Sequence, residues 1–412
     1  MKGGDNMLVT LNKGYKFKIK PNNEQREFFL KSFGCARKIY NLYVNELYTK
    51  LESINYQNGL IKKSDLHLSK YTEFTKMYTW LKEVDSQCLS SAKMDFNTAL
   101  DKFNKEYDKK SYTKRSKKRE KTLDIKPTFK DLKGMPKFKS IKKNDFSYRT
   151  YNQSCNGKWS YIKLENKQLK IPKLKTTIKV VQHRELPPNS IIKNCTISMD
   201  NLGVFYCSLC VEYTKEIEYV PSSKVLGLDY SSHDFYYSSE GKTANYPRYY
   251  KKSEDKLKKE QRRLSHKVKD SNNWKEQKRK VAKLQKKIAN QRLDWLHKES
   301  RKLCNKYDAI IFEDIDLRSI GQCLTLGKST YDNGFGMFRQ FCKYKLEEQG
   351  KQFIKIDKWY PSSKKCSCCG YIKKNLKLSD RTYICEECGL VIDRDYNASL
   401  NIKEAGTSLL AW

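Results

Sequence analysis

Near its start the chain alternates apolar and basic residues over about 14–20, GYKFKIK, the period-two pattern of a half-buried strand, and Pro21 follows it. From Asn23 the period lengthens. Phe28, Phe29, Phe33, Ala36, Tyr40, Leu42 and Leu47 recur at three-and-four spacing and predict an amphipathic helix. A second helix is predicted over 85–107, where Leu89, Ala92, Phe96, Ala99, Leu100 and Phe103 share one side. Between the two, residues 52–75 are polar and read as a loop with short helical pieces. Period two returns over 145–220 in YIKLENKQLKIPKL, TTIKVVQ, CTISMD and GVFYCSLCVEY, punctuated by Asn, Gly and Pro. With the strand near residue 14, these segments predict a small antiparallel β-barrel whose sequence is interrupted by a helical insertion.

The pattern changes again after Ser222-Ser223. VLGLDYS (225–231) is a short apolar strand, and DFYYSSEGKTANY is a hairpin turning at Glu240-Gly241. Residues 251–303 form a basic helical pair with a turn near 270–273. Its second helix carries Val281, Leu284, Ile288, Trp295 and Leu296 as one apolar stripe. AIIFED (309–314), a helix over about 332–348, the strand QFIKID (352–357), a cysteine cluster and a final helix from about Asn397 complete the chain. Strand, hairpin, helix, strand, helix, strand is the order of an RNase H-like α/β layer. The fold class expected is therefore multidomain α+β. A β-barrel is assigned to 1–22 and 130–221, a helical recognition domain to 23–129, an RNase H-like domain to 222–360 and 391–412, and a zinc ribbon to 361–390.

Charge narrows the partner. Lys and Arg total 84 against 47 acidic residues, a formal net charge of +37 spread along the whole chain. Self-repulsion of that size in a compact protein points to a polyanion, and extended nucleic acid fits better than a membrane surface. The densest stretch, 109–143, holds fifteen Lys or Arg and three acidic residues around Pro127, Gly134 and Pro136. It reads as a phosphate-contacting loop or a solvated linker, too charged to build a core. Aromatics make up 12% of the chain, with 28 Tyr, which argues against a disordered basic tail. No apolar run is long enough to span a membrane. With no signal-peptide pattern at the N-terminus, the 14 cysteines are expected to be reduced, in the cytoplasm.

Four of those cysteines carry the strongest local signal. Cys366 and Cys369 precede Gly370, Cys385 and Cys388 precede Gly389, and fifteen residues separate the pairs. Two such turns deliver four thiolates to one tetrahedral Zn²⁺, and four protein ligands leave no open position for catalysis. Cys368 is read as a bystander. Cys207 and Cys210 also spell CxxC, but on a strand that spacing sends the side chains to opposite faces. Cys35, Cys88, Cys304 and Cys342 read as packing residues.

Carboxylates supply the candidate chemistry. Asp229 follows VLGL, Glu313 follows AIIF, and Asp393 and Asp395 lie in IDRDYNAS between the second knuckle and the last helix. An acid directly after a buried apolar run is costly without a cation or donor. Two such strand-end acids, with a third beside the cysteine cluster, suit two-metal phosphodiester hydrolysis, in which two Mg²⁺ ions activate water and stabilise the leaving oxygen. Of the last two acids, only one need be a ligand, and Asp393 is free to cap or brace the ribbon junction. Asp308, Asp314 and Asp316 read as edge or capping residues. In the helix after Asp85, Gln87 suits a base edge, while Ser90 and Lys93 suit phosphate or either groove. Capping of that helix by Ser86, with a polar outer face, accounts for the same residues.

GLDYSSHD, IIFEDID, SSKKCSCCG, YICEECG and DRDYNASLNIKEAG together resemble the TnpB proteins of bacterial insertion sequences, relatives of type V CRISPR effectors. The opening YKFKIKPNNEQREFF…GCARKIYN is similar to the start of that family. The likeness is densest over 225–405 and weakest over 50–160. It implies that Asp229 and Glu313 are the acids of the first two RuvC motifs, and that Asp395 is the third. It also implies zinc on Cys366, Cys369, Cys385 and Cys388, and an RNA-guided DNA endonuclease whose partners are a guide RNA and double-stranded target DNA carrying a short flanking motif. Guide dependence rests on the resemblance alone. Tyr-Ser-Ser after Asp229 departs from the small residue and Gly of many relatives, but the carboxylate and its strand are intact. A transposase-type strand transferase and a nuclease-inactive, RNA-guided DNA-binding regulator are the other readings compatible with these residues.

Overall fold

The computed structural model describes residues 7–105, 111–141, 146–155, 158–159, 161–317, 332–377 and 379–410. They form two compact units, Thr10–Thr214 and one built on Lys215–Trp412.

In the first unit, β1 (Met7–Lys20) is longer than the seven-residue alternation suggested. Helix α1 (Asn23–Ser53) starts on a capping box: the Gln25 backbone N–H donates to Asn22 Oδ1 at 2.8 Å, and the Asn22 N–H to Gln25 Oε1 at 3.1 Å. Short helices α2 (Lys63–Leu66) and α3 (Tyr71–Met77) interrupt the polar stretch, as expected, and α4 (Ser86–Lys105) follows. One face of α1 and of α4 meets in a core that includes Tyr43, Leu47, Phe96 and Leu100. The basic stretch differs from its reading. It contains helix α5 (Lys114–Leu123), and Phe129, Leu132 and Met135 are buried in the same core. Three apolar residues suffice to anchor the segment while its lysines stay in solvent.

Strands β2 (Ser147–Tyr151), β3 (Ser154–Cys155), β4 (Lys158–Trp159), β5 (Lys163–Glu165), β6 (Gln168–Lys170), β7 (Ile178–Val181), β8 (Ile191–Met199) and β9 (Phe205–Ile217) follow. Seven strands form one sheet in the order β2-β8-β9-β1-β7-β6-β5, and β3 with β4 makes a separate hairpin. Among the described residues the expected antiparallel barrel is a curled sheet that keeps two edges, β2 and β5. A buried side chain links those edges. Asn152, just past β2, accepts from the N–H groups of Tyr161 and Ile162 at 3.1 and 3.0 Å and donates to the Ile192 carbonyl at 2.9 Å. The sheet therefore curls, and a carboxamide bridges the gap that a ladder would close.

In the second unit, β10 (Val225–Ser231) and β11 (Phe235–Ser238) form the hairpin, and α6 (Tyr249–Ser265) and α7 (Asn272–Lys306) the basic helical pair. Next come β12 (Ala309–Glu313), α8 (Phe335–Glu347) and β13 (Gln352–Ile356). Strand β14 (Thr382–Ile384) pairs with β15 (Val391–Asp393), and α9 (Arg394–Thr407) is last. The element order is the one expected. The sheet runs β11-β10-β12-β13, with β10, β12 and β13 parallel and β11 antiparallel. Leu226, Leu228, Ile310 and Phe312 pack on one face with Phe335 and Phe338 of α8. Ile311 packs on the other with Ile402 of α9. A sheet covered on both faces explains why these strands read as continuous apolar runs. No helix among the described residues is long and apolar enough to cross a membrane.

Candidate active site and metal centre

Register and alternation place the first two acids. Leu228 on β10 pairs with Phe312 on β12, so Asp229 and Glu313 are the next residues along two parallel neighbours, where strands run about 4.8 Å apart. Side chains alternate between faces. Leu226 and Leu228 face α8, so Gly227 and Asp229 face α9, and Ile311 and Glu313 do the same. Two strand-end acids therefore share the face that the last helix covers.

That helix brings the third acid. Its expected start at Asn397 is corrected to Arg394, because Asp393 supplies the cap: its Oδ1 accepts from the N–H groups of Asp395 and Tyr396 at 3.0 and 2.9 Å. Asp395 thus lies within the first turn rather than in the linker before it, on the rigid element that crosses β10. Burial pushes the Asp229 carboxyl well above the usual range, and the charges of Glu313 and then Asp395 push it further; Arg394 opposes them. Burial also raises Glu313, against a hydrogen bond from Ser362 at 3.4 Å. Asp395 is held by Arg394, whose Nε and Nη2 donate to its Oδ1 at 3.1 and 2.9 Å, with Arg381 at 3.8 Å. Glu313 and Asp395 thus both bear on the Asp229 carboxyl, a repulsion that a divalent cation would relieve, although the ligand oxygens of the three acids do not gather within 4.8 Å of one another as the four cysteine sulfurs do.

Four sulfurs form a second centre. The ligand atoms of Cys366, Cys369, Cys385 and Cys388 lie within 4.8 Å of one another, with the Cys366–Cys388 and Cys369–Cys385 pairs at 3.6 Å. Zn–S bonds of about 2.3 Å in a tetrahedron separate sulfurs by roughly 3.8 Å, so the set fits the ion. Each turn closes on its glycine: the Gly370 N–H donates to the Cys366 carbonyl at 3.0 Å and the Gly389 N–H to that of Cys385 at 3.2 Å. Both glycines adopt positive φ, +80° and +72°, a region that side chains disfavour. Cys368 is exposed, and its sulfur is outside the cluster. Cys207 is buried on β9 while Cys210 is partly exposed, consistent with opposite faces. Cys35, Cys88, Cys304 and Cys342 are buried.

Several positioning residues escaped the sequence reading. Asn397 and Asn401, one helical turn apart and fully buried, tie α9 to the first knuckle. Asn397 donates to the Lys365 carbonyl at 2.8 Å and accepts from the Ser367 N–H at 3.0 Å. Asn401 donates to the Ser362 carbonyl at 2.8 Å, and the hydroxyl of the same serine reaches Glu313. Arg339 donates to the Glu313 carbonyl at 3.1 Å. The i,i+4 asparagine pair in DYNASLNI was the available signal; nothing in the sequence marked Ser362 or Arg339.

The expected edge acids behave as such. Asp308 accepts from Ser223 and the Lys224 N–H at 2.9 and 3.0 Å, and Asp314 pairs with Lys355 at 2.8 Å. In the first unit, Gln87 and Ser90 are partly exposed on α4, and Lys93 lies 5.4 Å from the Tyr43 ring centroid. The cap of that helix is Asp85, not Ser86. Asp85 accepts from the Gln87 N–H at 3.1 Å and from the Thr150 hydroxyl, because its longer, buried carboxylate reaches both.

Comparison with known proteins accounts for this arrangement. Three family models match in succession: a helix-turn-helix domain over 7–52, a "Probable transposase" over 208–322, and a "Cas12f1-like, TNB domain" over 335–402. A Streptomyces pristinaespiralis protein whose name proposes an RNA-guided DNA endonuclease is 28% identical over 410 residues, 98% of this chain and 92% of that one. InsQ of Escherichia coli K12, named in the same way, is 26% identical over 424 residues, 96% and 93% of the two chains. Across most of its length the chain resembles the TnpB family. The transposase match holds Asp229 and Glu313, and the TNB match holds the four cysteines and Asp395. The cryo-EM structure of a Cas12f1–sgRNA–target DNA complex superposes with a TM-score of 0.57 at 14% identity, covering 93% of this chain and 83% of that one, which shows a shared fold.

Proposed function

We propose that this TnpB-like chain is an RNA-guided DNA endonuclease that hydrolyses phosphodiester bonds at Asp229, Glu313 and Asp395. The observation that carries the catalytic assignment is geometric: strand register sets Asp229 and Glu313 side by side on the face that α9 covers, and α9 carries Asp395 in its first turn, with the charges of Glu313 and Asp395 both raising the Asp229 carboxyl. Two Mg²⁺ ions bound there would act as Lewis acids and lower the pKa of water. Asp229 and Glu313 supply oxygen ligands from neighbouring strand ends, and Asp395 from the first turn of α9. Ser362 orients Glu313, and Arg394 holds Asp395 while no cation competes for it. In this reading the domain is RuvC-like, and the four-cysteine centre takes one Zn²⁺ with every position filled, a structural role.

Guide dependence is supported by full-length relatives whose names propose it. The partners assigned are a guide RNA and double-stranded target DNA. A charge of +37 suits a protein that grips an RNA–DNA heteroduplex by its backbone while base pairing selects the sequence. The N-terminal half would read the flanking motif, with Gln87, Ser90 and Lys93 as contacts, and the complex would act in the cytoplasm at the nucleoid. Neither a strand transferase nor an inactive regulator is favoured by these relatives. The test is to purify the chain with co-expressed transposon-end RNA and assay DNA cleavage in Mg²⁺. Bound RNA and cleavage lost in Asp229→Ala are expected. Recovery of protein free of RNA, or unchanged cleavage in Asp229→Ala, would overturn the assignment.

A further inference from the structure

A polar cavity of about 110 Å³ opens between α1, α4 and β2, lined by Arg37, Ser91, Asp95, Lys139 and Arg149 among others. Ser91 is 2% exposed, and its hydroxyl has no hydrogen-bond partner; Nη1 of the Arg37 guanidinium is likewise buried and unpaired. Asp95 is the one acid among these five residues. It lies at ion-pair range but loosely, 3.7 Å from Lys139 Nζ and 3.8 Å from Arg149 Nη2. Three cations against one carboxylate leave the lining at +2. Lys139 is fixed in place. Asn41 brackets its backbone, donating to its carbonyl at 2.9 Å and accepting from its N–H at 2.7 Å, and its ammonium lies 4.2 Å from the Tyr40 ring centroid.

Buried donors without acceptors are costly. A polar cavity well above the roughly 10–15 Å³ that admits one water will not stay empty. Arg149 already donates to the Tyr151 hydroxyl at 3.3 Å, so a ligand that satisfies Arg37 and Ser91 beside the charges of Arg149 and Lys139 must present several acceptor oxygens and negative charge within a small volume. A tetrahedral phosphate does this, and guanidinium groups match its oxygens in pairs. We infer that this cavity takes one phosphodiester group of a nucleic-acid backbone. The inference rests on the reading of the chain as a nucleic-acid enzyme and adds a discrete anchoring point remote in sequence from the acids. Asp95 tunes the site: it holds Lys139 and Arg149 in place while no phosphate is bound and weakens the phosphate's hold once it is.

The experiment uses the full chain carrying Asp229→Ala, so that binding is read without cleavage. In one arm the RNA-stripped protein is titrated with its copurified RNA; in the other the RNA-bound complex is titrated with duplex DNA, each over a range of salt. Arg149→Gln is expected to weaken one arm about tenfold and to flatten its plot of log affinity against log salt by about one unit, without altering sequence preference. Ser91→Ala is expected to weaken the same arm several-fold. Asp95→Asn is expected to strengthen it, a gain that a misfolded variant cannot imitate. The responding arm identifies the strand. Affinities and slopes unchanged in both arms for Arg149→Gln and Asp95→Asn would overturn the inference and leave the nuclease reading standing. A parent chain that binds neither RNA nor DNA would remove both.

Discussion

A β-carbon on Gly227 would sit 2.4 Å from the carbonyl oxygen of Ser399, so strand β10 and helix α9 touch backbone to backbone. Asp229 lies two residues along the strand from that contact, and Asp395 lies one helical turn before it. The first advance is about 6.6 Å and the second about 6 Å, so the two acids step away from the same point by similar distances. Close contact at Gly227 thus seats α9, with Asp395 in its first turn, directly on the strand that carries Asp229. A second glycine repeats the device: a β-carbon on Gly406 would fall 2.3 Å from Ile311 Cγ2.

Alanine at either position must push α9 off the sheet. Gly406→Ala gains roughly 1 kcal/mol of helix propensity, yet it is expected to lower the Tm because the overlap is with a packed isoleucine. Gly227→Ala meets backbone atoms and is expected to be worse, at about 3 kcal/mol or more, with cleavage lost. Gly34→Ala, in α1 with nothing within 4 Å of the added carbon, is expected to stabilise by about 0.5–1 kcal/mol. Thermal melts of the three variants check the order; an unchanged Tm for Gly227→Ala would refute the close-packing argument.

Asp229 sets a pH dependence. Its folded pKa is raised by burial, Glu313 and Asp395, so the folded metal-free state holds this proton at pH values where the unfolded chain has released it. Its contribution to stability is therefore fullest at acid pH and declines as pH rises above the ordinary aspartate range. Mg²⁺ should raise the Tm more at pH 8 than at pH 5. Asp229→Asn removes the repulsion and is expected to raise the metal-free Tm, by about 2–4 °C if the relief is about 1 kcal/mol, while abolishing cleavage. Calorimetry with and without Mg²⁺ at both pH values reads these differences directly.

Zinc removal should unfold the ribbon before the rest of the second unit. Few apolar residues support the ribbon: its core is Tyr383 with Cys366 and Cys385 and a few partly buried neighbours. Chelation, or Cys388→Ser, is expected to free the Asn397 and Asn401 contacts and with them the Ser362 hydroxyl on Glu313. Cleavage should fall together with metal content, measured as one zinc per chain before treatment. Cys368→Ser is expected to retain both.

Asp85 and Gln87 separate a structural role from a reading role on one helix. Asp85→Ala removes the α4 cap and the acceptor for the Thr150 hydroxyl. A loss of about 1–3 kcal/mol is expected. Gln87→Ala is expected to leave the Tm within about 0.5 kcal/mol of the parent, and to relax the preference for the flanking motif. A binding selection on randomised flanking sequence, run beside thermal melts, distinguishes the two.

Periodicity made both ends of the molecule legible. The alternation at GYKFKIK, the three-and-four spacing after Asn23 and the apolar runs before Asp229 and Glu313 all became the expected elements, because local hydrogen bonding and one-sided burial set those patterns. The CxxC knuckles were equally plain, since the metal geometry lies within two short turns. Sequence spacing could not say that Glu313 and Asp395 both bear on Asp229; that took strand register, side-chain alternation and the glycine contact with α9. Nor could it open the expected barrel, where Asn152 bridges two edges, or bury Phe129, Leu132 and Met135 from a segment rich in lysine. The chain by itself determined which residues want water and which want a core. Only the packed fold decided which acids share a face, because that depends on contacts between segments more than eighty residues apart.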